Sequence, residues 1–107
     1  MLKEIKPVLE LGQVLTTAGV AADMEKDDRF AALVQVSLSR HQRGDWGTIC
    51  NADKKTNDEG LKNGGRVMSA YTIDESKGIS KGFGENTIWI ITEWDRSVTT
   101  ILYPNEY

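Results

Sequence analysis

This sequence of 107 residues contains a single cysteine and a single histidine. One cysteine excludes an internal disulfide and any cysteine-rich zinc site. A zinc site would have to take most of its ligands from carboxylates, because only one imidazole is present. We therefore expect neither a metal nor a cofactor, and we interpret Cys50 as a passive thiol because no neighbour in the sequence would activate it.

The sequence also has no long apolar run. No segment approaches the roughly 20 apolar residues that a transmembrane helix needs. The first ten residues, MLKEIKPVLE, place Glu4 and Pro7 where a signal peptide would need an unbroken apolar stretch. These features predict a cytoplasmic protein that does not act at a membrane.

An excess of basic residues is missing as well. The formal net charge is −3, which argues against broad, charge-driven binding of nucleic acid, although a small basic pocket remains compatible with it. With 39% hydrophobic and 27% charged residues, the composition is that of an ordinary globular protein. The length suits one domain spanning 1–107, in which 1–7 form a loose lead-in.

Helical patterns occupy the first part of the chain. Residues 8–16 could form a strand, after which Thr17 would cap a short helix over 18–24. The clearest helix follows, because apolar or small side chains recur along one face with a 3.6-residue period, at Phe30, Leu33, Val34, Ser37 and Leu38. A polar helix over 53–62, with little apolar content, must then lie on the surface.

After Gly65 the period changes to two, which is typical of strands. We predict strands over 66–73, 87–93 and 98–103, with a charged, glycine-rich and mobile loop over 74–86 between the first two. The predicted fold class is therefore α+β, with N-terminal helices packed on one face of a three- or four-stranded antiparallel sheet, a β-meander. Residues 8–16 would supply the fourth strand at an edge.

The turn between the last two strands, Glu93-Trp94-Asp95-Arg96-Ser97, has two interpretations. Asp95 and Ser97 are ordinary turn residues, and Glu93 and Arg96 could pair weakly across the turn. Alternatively the turn is a binding site. Arg96 would offer bidentate recognition of a carboxylate or phosphate, and Trp94 would act as an anchor.

The segment SRHQRGDWG, 39–47, contains the one histidine. His41 is the obvious candidate for a general base because the pKa of imidazole lies near neutrality. The competing interpretation is a helix end where His41 and the neighbouring arginines satisfy the last carbonyls, with Trp46 as a core residue beneath the turn. Ser69 and Tyr71 point to the same face of a strand and are either proton donors or half-buried sheet residues.

Several strings taken together, SRHQRGDWG, DKKTNDEGL, RVMSAYTI and IWIITEWDRSVTTILYPNEY, carry a resemblance. Over residues 11–107 the chain resembles a family of small bacterial proteins encoded on plasmids and conjugative transposons, known as plasmid-related proteins. The family has no established activity, so the resemblance implies a context rather than a mechanism. Its pattern falls on His41, Gly44, Asp45, Trp46, Asp53, Asn57, Ser69, Tyr71, Thr92, Glu93, Asp95, Arg96, Ser97 and Thr99.

Two departures from the family pattern stand out. The connection over 74–86 is long and charged where the family has a short turn, and Trp94 stands where a small residue such as alanine is expected. A site that depends on a tight rim at the hairpin would be altered by the indole.

These observations leave two functions open. The first is an accessory protein of a mobile element that binds an unknown protein partner, or another ligand, without catalysis. Its binding residues would be Asp45, Trp46, Asn57, Trp94, Asp95, Arg96, Ser97 and Thr99. The second is a metal-independent, toxin-type ribonuclease acting on RNA. His41 or Glu93 would serve as its base, Arg96 as its phosphate clamp, and Ser69, Tyr71 and Thr99 as donors. Its resemblance to such nucleases is one of fold only.

Overall fold

A computed structural model describes residues 7–107, so the predicted lead-in over 1–7 lies almost entirely outside the described residues. The helices are α1 (Ala18–Lys26), α2 (Asp28–Gln42) and α3 (Asn51–Asn63). The strands are β1 (Gln13–Thr16), β2 (Val67–Thr72), β3 (Thr87–Thr92) and β4 (Val98–Leu102). Short 3-10 turns follow at Glu75–Lys77 and Pro104–Glu106. No helix in the described part of the chain combines the length and apolar character that crossing a membrane requires.

The α+β fold class is confirmed, with one correction to the sheet. Strands β2, β3 and β4 form the predicted antiparallel meander, and the strand order is β1-β4-β3-β2. Strand β1 joins the edge beside β4 in parallel, so the sheet is mixed rather than purely antiparallel. Its direction is fixed because the chain leaves β1 straight into α1, which packs against both β1 and β4.

Helices α1 and α2 begin where the sequence supplies side-chain caps. The Thr17 hydroxyl accepts a hydrogen bond from the Val20 N–H at 3.3 Å. The Asp27 carboxylate accepts bonds from the N–H groups of Arg29 and Phe30, so α2 starts directly after α1 ends. Both caps satisfy N–H groups that have no partner inside their own helix.

The main core lies between these two helices and one face of the sheet. Val20 of α1 and Phe30 and Val34 of α2 pack against a layer of strand residues comprising Tyr71, Ile88, Ile90 and Ile101. These strand positions are two residues apart or directly paired, which places them on a single face. Each fully buried side chain of this size contributes about 1.5–3 kcal/mol.

Helix α3 is the predicted polar surface helix, and polar contacts hold it beside the free edge of β2. The Asn57 side chain donates to the Met68 carbonyl at 2.6 Å and accepts from the Met68 N–H at 3.2 Å. A side-chain amide therefore completes the backbone pairing that a neighbouring strand would otherwise supply, and the edge is closed. The helix ends at Gly64, which has a left-handed φ of 80°.

The connector between α2 and α3 closes the same edge one step further along. The Ala70 N–H donates to the Trp46 carbonyl at 3.2 Å, and the Thr48 N–H donates to the Ala70 carbonyl at 2.8 Å. Gly47 lies between these contacts with a φ of 74°. A Cβ at Gly47 would fall 1.8 Å from the Ala70 oxygen, so the close approach requires glycine.

Hydrogen bonds join the two ends of the long connection over 74–86 to each other and attach its middle to the sheet. The Asn86 side chain accepts from the Asp74 N–H at 2.9 Å and donates to the Asp74 carbonyl at 2.8 Å. The Trp89 indole N–H donates to the Gly82 carbonyl at 2.8 Å, and the Ser80 N–H donates to the Thr72 hydroxyl at 3.0 Å. The mobility of this loop stays a prediction.

Replacement of Gly47 by alanine is expected to lower the free energy of unfolding by about 3–4 kcal/mol, because the new Cβ overlaps the Ala70 carbonyl. Gly64→Ala is the matched control: its φ is equally positive, but a Cβ there meets nothing within 4 Å. That variant should lose only about 1–2 kcal/mol. Urea unfolding followed by tryptophan fluorescence measures both, and equal losses would contradict the proposed close approach.

Candidate functional site

His41 lies in the last turn of α2 and is fully buried. Its Nδ1 is 2.6 Å from the Ser69 Oγ on β2, and its Nε2 is 2.8 Å from the Thr92 Oγ1 on β3. The ring therefore bridges the helix and two strands, and it does not cap the carbonyls at the helix end. The indole of Trp46 packs edge-on against it, with ring centroids 5.6 Å apart.

The polar contacts continue beyond the imidazole. The Oγ1 atoms of Thr92 and Thr99 are 2.7 Å apart, and the Thr99 hydroxyl donates to the Leu11 carbonyl at 2.7 Å. Since a carbonyl only accepts, Thr99 must accept from Thr92, and Thr92 must accept from the Nε2–H of His41. The neutral ring then accepts at Nδ1 from Ser69. The bonds form one polar chain, which runs Ser69–His41–Thr92–Thr99–Leu11. The Leu11 carbonyl at its end fixes the direction of every bond in it.

Burial, and to a smaller extent the positive charge of Arg96, lowers the pKa of His41 from 6.5 to about 4. The imidazole is therefore neutral near pH 7, as the order of donors and acceptors requires. A general base must reach a substrate proton, whereas both nitrogens of this ring are engaged within the protein.

Tyr71 and Asp45 belong to a second set of contacts, which fixes the turn after α2. The Tyr71 hydroxyl donates to the backbone carbonyl of Asp45 at 2.7 Å. The Asp45 carboxylate forms an ion pair with Arg40 at 2.7 Å, and this bond lowers the pKa of the carboxyl. The Arg40 guanidinium also lies 4.9 Å from the centre of the Tyr71 ring, while burial raises the pKa of the phenol.

Three of the predicted binding residues lie in the interior: Thr99, which belongs to the polar chain described above, and two others, Trp46 and Asn57. Trp46 is buried, and its indole N–H donates to the Asp58 carboxylate at 2.9 Å, which joins the connector to α3. Asn57 is buried as well, with its amide committed to Met68. Neither side chain offers a surface to a partner.

Arg96 has a left-handed φ of 60°, and its guanidinium turns inward toward the end of α3. It donates to the carbonyls of Gly60 at 3.0 Å and Gly65 at 2.6 Å, and more weakly to that of Glu93 at 3.2 Å. The contact with Glu93 thus involves its backbone and not its carboxylate. Three of the five N–H donors of the guanidinium are thus engaged within the protein, which leaves fewer of them for a phosphate.

Of the other four residues of the hairpin turn, three form hydrogen bonds that stabilise it, and the fourth is Trp94. The Asp95 carboxylate accepts from the N–H and the hydroxyl of Ser97 at 3.1 and 2.6 Å, and the hydroxyl bond lowers the pKa of Asp95. The Glu93 N–H closes the turn on the Val98 carbonyl at 3.0 Å. Trp94 projects from this turn with 67% of its surface exposed.

The candidate catalytic residues do not share an open cavity. A surface cleft of about 1180 Å³ lies between the α1–α2 junction, the 74–86 loop and the C-terminal turn, and it includes none of them. Three of its acids are already engaged: Asp27 caps α2, Asp74 caps a 3-10 turn, and Asp23 accepts from the Tyr103 hydroxyl. No sequence motif indicates this cleft, because its residues come from four separate segments.

In comparisons with known proteins, the chain matches no protein-family model, no curated protein and no solved structure. Within residues 7–107, no group of three or more histidine, cysteine, aspartate or glutamate side chains is placed to hold a metal ion. The site is therefore defined by its own geometry: a sealed polar chain inside the fold, and one exposed indole on a rigid turn above it.

The buried histidine predicts a specific dependence of stability on pH. As the pH falls below 6.5 the unfolded chain binds a proton on His41, while the folded protein does so only near pH 4. Stability is therefore complete above pH 6.5 and is lost as the pH falls toward 4. Between pH 7 and about pH 4.5 we expect a loss of about 2–3 kcal/mol.

This loss is measured by urea unfolding at a series of pH values, with His41→Gln as the control. The variant has no imidazole to titrate. Its free energy of unfolding should therefore fall less steeply with pH, although the variant is less stable overall. The pH range of this measurement lies above the ordinary aspartate pKa of 3.8. The lowered pKa values of Asp45 and Asp95 therefore contribute little to the loss of stability. Identical slopes in the two proteins would contradict a buried, neutral His41.

Proposed function

We propose that this protein is a non-catalytic binding module that engages a protein partner through the hairpin turn over 93–97. The observation that carries the proposal is the exposure of Trp94 on a turn whose backbone is fixed from both sides. Tryptophan is enriched among the residues that dominate binding energy at protein interfaces. An exposed indole on an ordered turn is therefore the strongest anchor on this surface.

The rigidity of the turn supports the proposal, because it reduces the entropy lost on binding. Arg96 ties the turn to α3 through Gly60 and Gly65, and Asp95 ties it to Ser97. The conformation that a partner meets is thus the one already present in the free protein, and less binding energy is spent on ordering. We assign Arg96 and Asp95 to the support of the anchor and Trp94 to the contact itself.

The segment over 41–46 would contribute less than the hairpin does. Its exposed part is the ion pair between Arg40 and Asp45 at the end of α2, whereas His41 and Trp46 face inward. Ion pairs at the surface add little free energy, so this segment would bias the choice of partner more than the affinity. Together with the family resemblance, these features support a cytoplasmic accessory protein of a bacterial mobile genetic element.

The ribonuclease alternative has weaker support. It needs a base that reaches a ribose hydroxyl and a cation that reaches a phosphate. His41 is enclosed between Ser69 and Thr92, and Arg96 is enclosed by carbonyl oxygens. The imidazole could take a proton from a substrate only after its bonds to Ser69 and Thr92 were broken, and a phosphate would share Arg96 with the carbonyl oxygens.

The proposal predicts that Trp94→Ala abolishes capture of the partner while the free energy of unfolding changes by less than about 0.5 kcal/mol. The partner is identified by photo-cross-linking from a residue introduced at Glu93, of which the turn uses only the backbone, in host cells. Binding of the purified pair is then measured by calorimetry. Phe83→Ala is the matched control, because Phe83 is equally exposed, at 65%, but lies in the 74–86 loop.

Loss of binding in the Trp94 variant alone would support the hairpin as the contact. Equal binding by wild type, Trp94→Ala and Phe83→Ala would contradict the proposal. Cleavage of RNA by the purified protein, abolished by His41→Gln, would favour the nuclease instead.

A further inference from the structure

The outer edge of β1 presents exposed backbone groups. All four residues of the strand are exposed, including two apolar ones, Val14 at 41% and Leu15 at 42%. The N–H groups of Gln13 and Thr17 donate inward to β4, at 2.9 and 3.1 Å. Because direction alternates along a strand, the N–H and C=O groups of Val14 and Thr16 point away from the sheet.

The two edges of the sheet differ in whether their backbone groups are paired. At the β2 edge, Asn57 pairs with both backbone groups of Met68, and the connector pairs with both groups of Ala70. Natural proteins protect an exposed edge with charged side chains, proline, a bulge or a very short strand. Strand β1 is short, at four residues, but has none of the other three protections, and the whole stretch over 11–22, LGQVLTTAGVAA, contains no charged residue in a chain that is 27% charged.

We propose that β1 pairs with β1 of a second copy of this chain, antiparallel and about a two-fold axis, to give a symmetric dimer with a continuous eight-stranded sheet. The register follows from the free groups. With the axis at Leu15, Val14 lies opposite Thr16 of the second copy, and each such pair exchanges two N–H···O=C bonds. Leu15 then lies opposite Leu15 of the second copy.

The charge distribution is compatible with a second copy at this edge. Each copy carries a net charge of −3, so two copies repel one another unless their contact avoids acidic residues. In this register the paired residues 13–17 are all uncharged, and the contact at the axis joins two leucines. The Glu106 carboxylate, which accepts from the Thr17 hydroxyl at 2.8 Å, lies at the end of the paired segment and away from the axis. The surface is therefore complementary to itself, as a two-fold interface requires.

Geometry sets both the arrangement and the strength of the dimer. An axis perpendicular to the sheet keeps α1 and α2 of both copies on the same face, so the cores packed on that face are undisturbed. The paired segment is short, and small interfaces give weak complexes. Dimerisation should consequently depend on protein concentration.

Analytical ultracentrifugation across a wide range of concentrations tests the dimer directly. Val14→Pro removes the outward N–H and leaves the two N–H groups that bond to β4, so this variant should remain monomeric. Leu15→Lys should also remain monomeric, because two ammonium groups would meet at the axis. Val36→Lys is the control, since Val36 is 58% exposed on α2, and it should dimerise like wild type.

Cross-linking provides a second and independent measurement. Residues facing each other across a non-hydrogen-bonded antiparallel pair have Cα atoms about 4.5 Å apart, within the range for a disulfide. In a Cys50→Ser background, Leu15→Cys should give a disulfide-linked dimer under mild oxidation, and Val36→Cys should not. A protein that stays monomeric at every concentration, or cross-links no faster at position 15 than at position 36, overturns the proposal.

Discussion

The hydrogen bonds of the His41 imidazole to Ser69 and Thr92 are the interaction on which the rest of this fold depends. They join the end of α2 to the two strands beneath it, and through Thr99 the same chain reaches the segment before β1. Each such buried bond contributes only about 1 kcal/mol, but an unpaired buried partner costs about 1–3 kcal/mol. The arrangement is therefore stable only when every member is in place and the ring is neutral.

Helix α3 shows how polar side chains replace a hydrophobic face. It has few apolar residues, and three contacts hold it instead: Asn57 to the edge of β2, Asp58 to the Trp46 indole, and the Arg96 guanidinium to the carbonyls at its end. Many of the residues that the family resemblance marks thus support the architecture. The proposed contact with a partner is the indole of Trp94, on a turn that the Arg96 bonds tie to the end of α3.

Local patterns predict the helices and the meander, because caps such as Thr17 and Asp27 and the periods of 3.6 and 2 act over a few residues. The orientation of β1 could not be predicted, since four exposed residues carry no signal for parallel pairing. The structural roles of Asn57 and Arg96 could not be predicted from local patterns either, because each side chain bonds to backbone groups 11 or more residues away. His41 was singled out for a pKa near neutrality, and burial removes that property.

The central claim is that Ser69, His41, Thr92, Thr99 and the Leu11 carbonyl act as one connected chain. A double-mutant cycle between Ser69→Ala and Thr99→Val, the two hydroxyls that do not touch each other, tests it most directly. We expect a coupling free energy above about 0.5 kcal/mol, because either change leaves the intervening groups unsatisfied. The control cycle pairs Ser69→Ala with Thr100→Val, on the opposite face, and should be additive. Additivity in both cycles, within about 0.3 kcal/mol, would contradict the account.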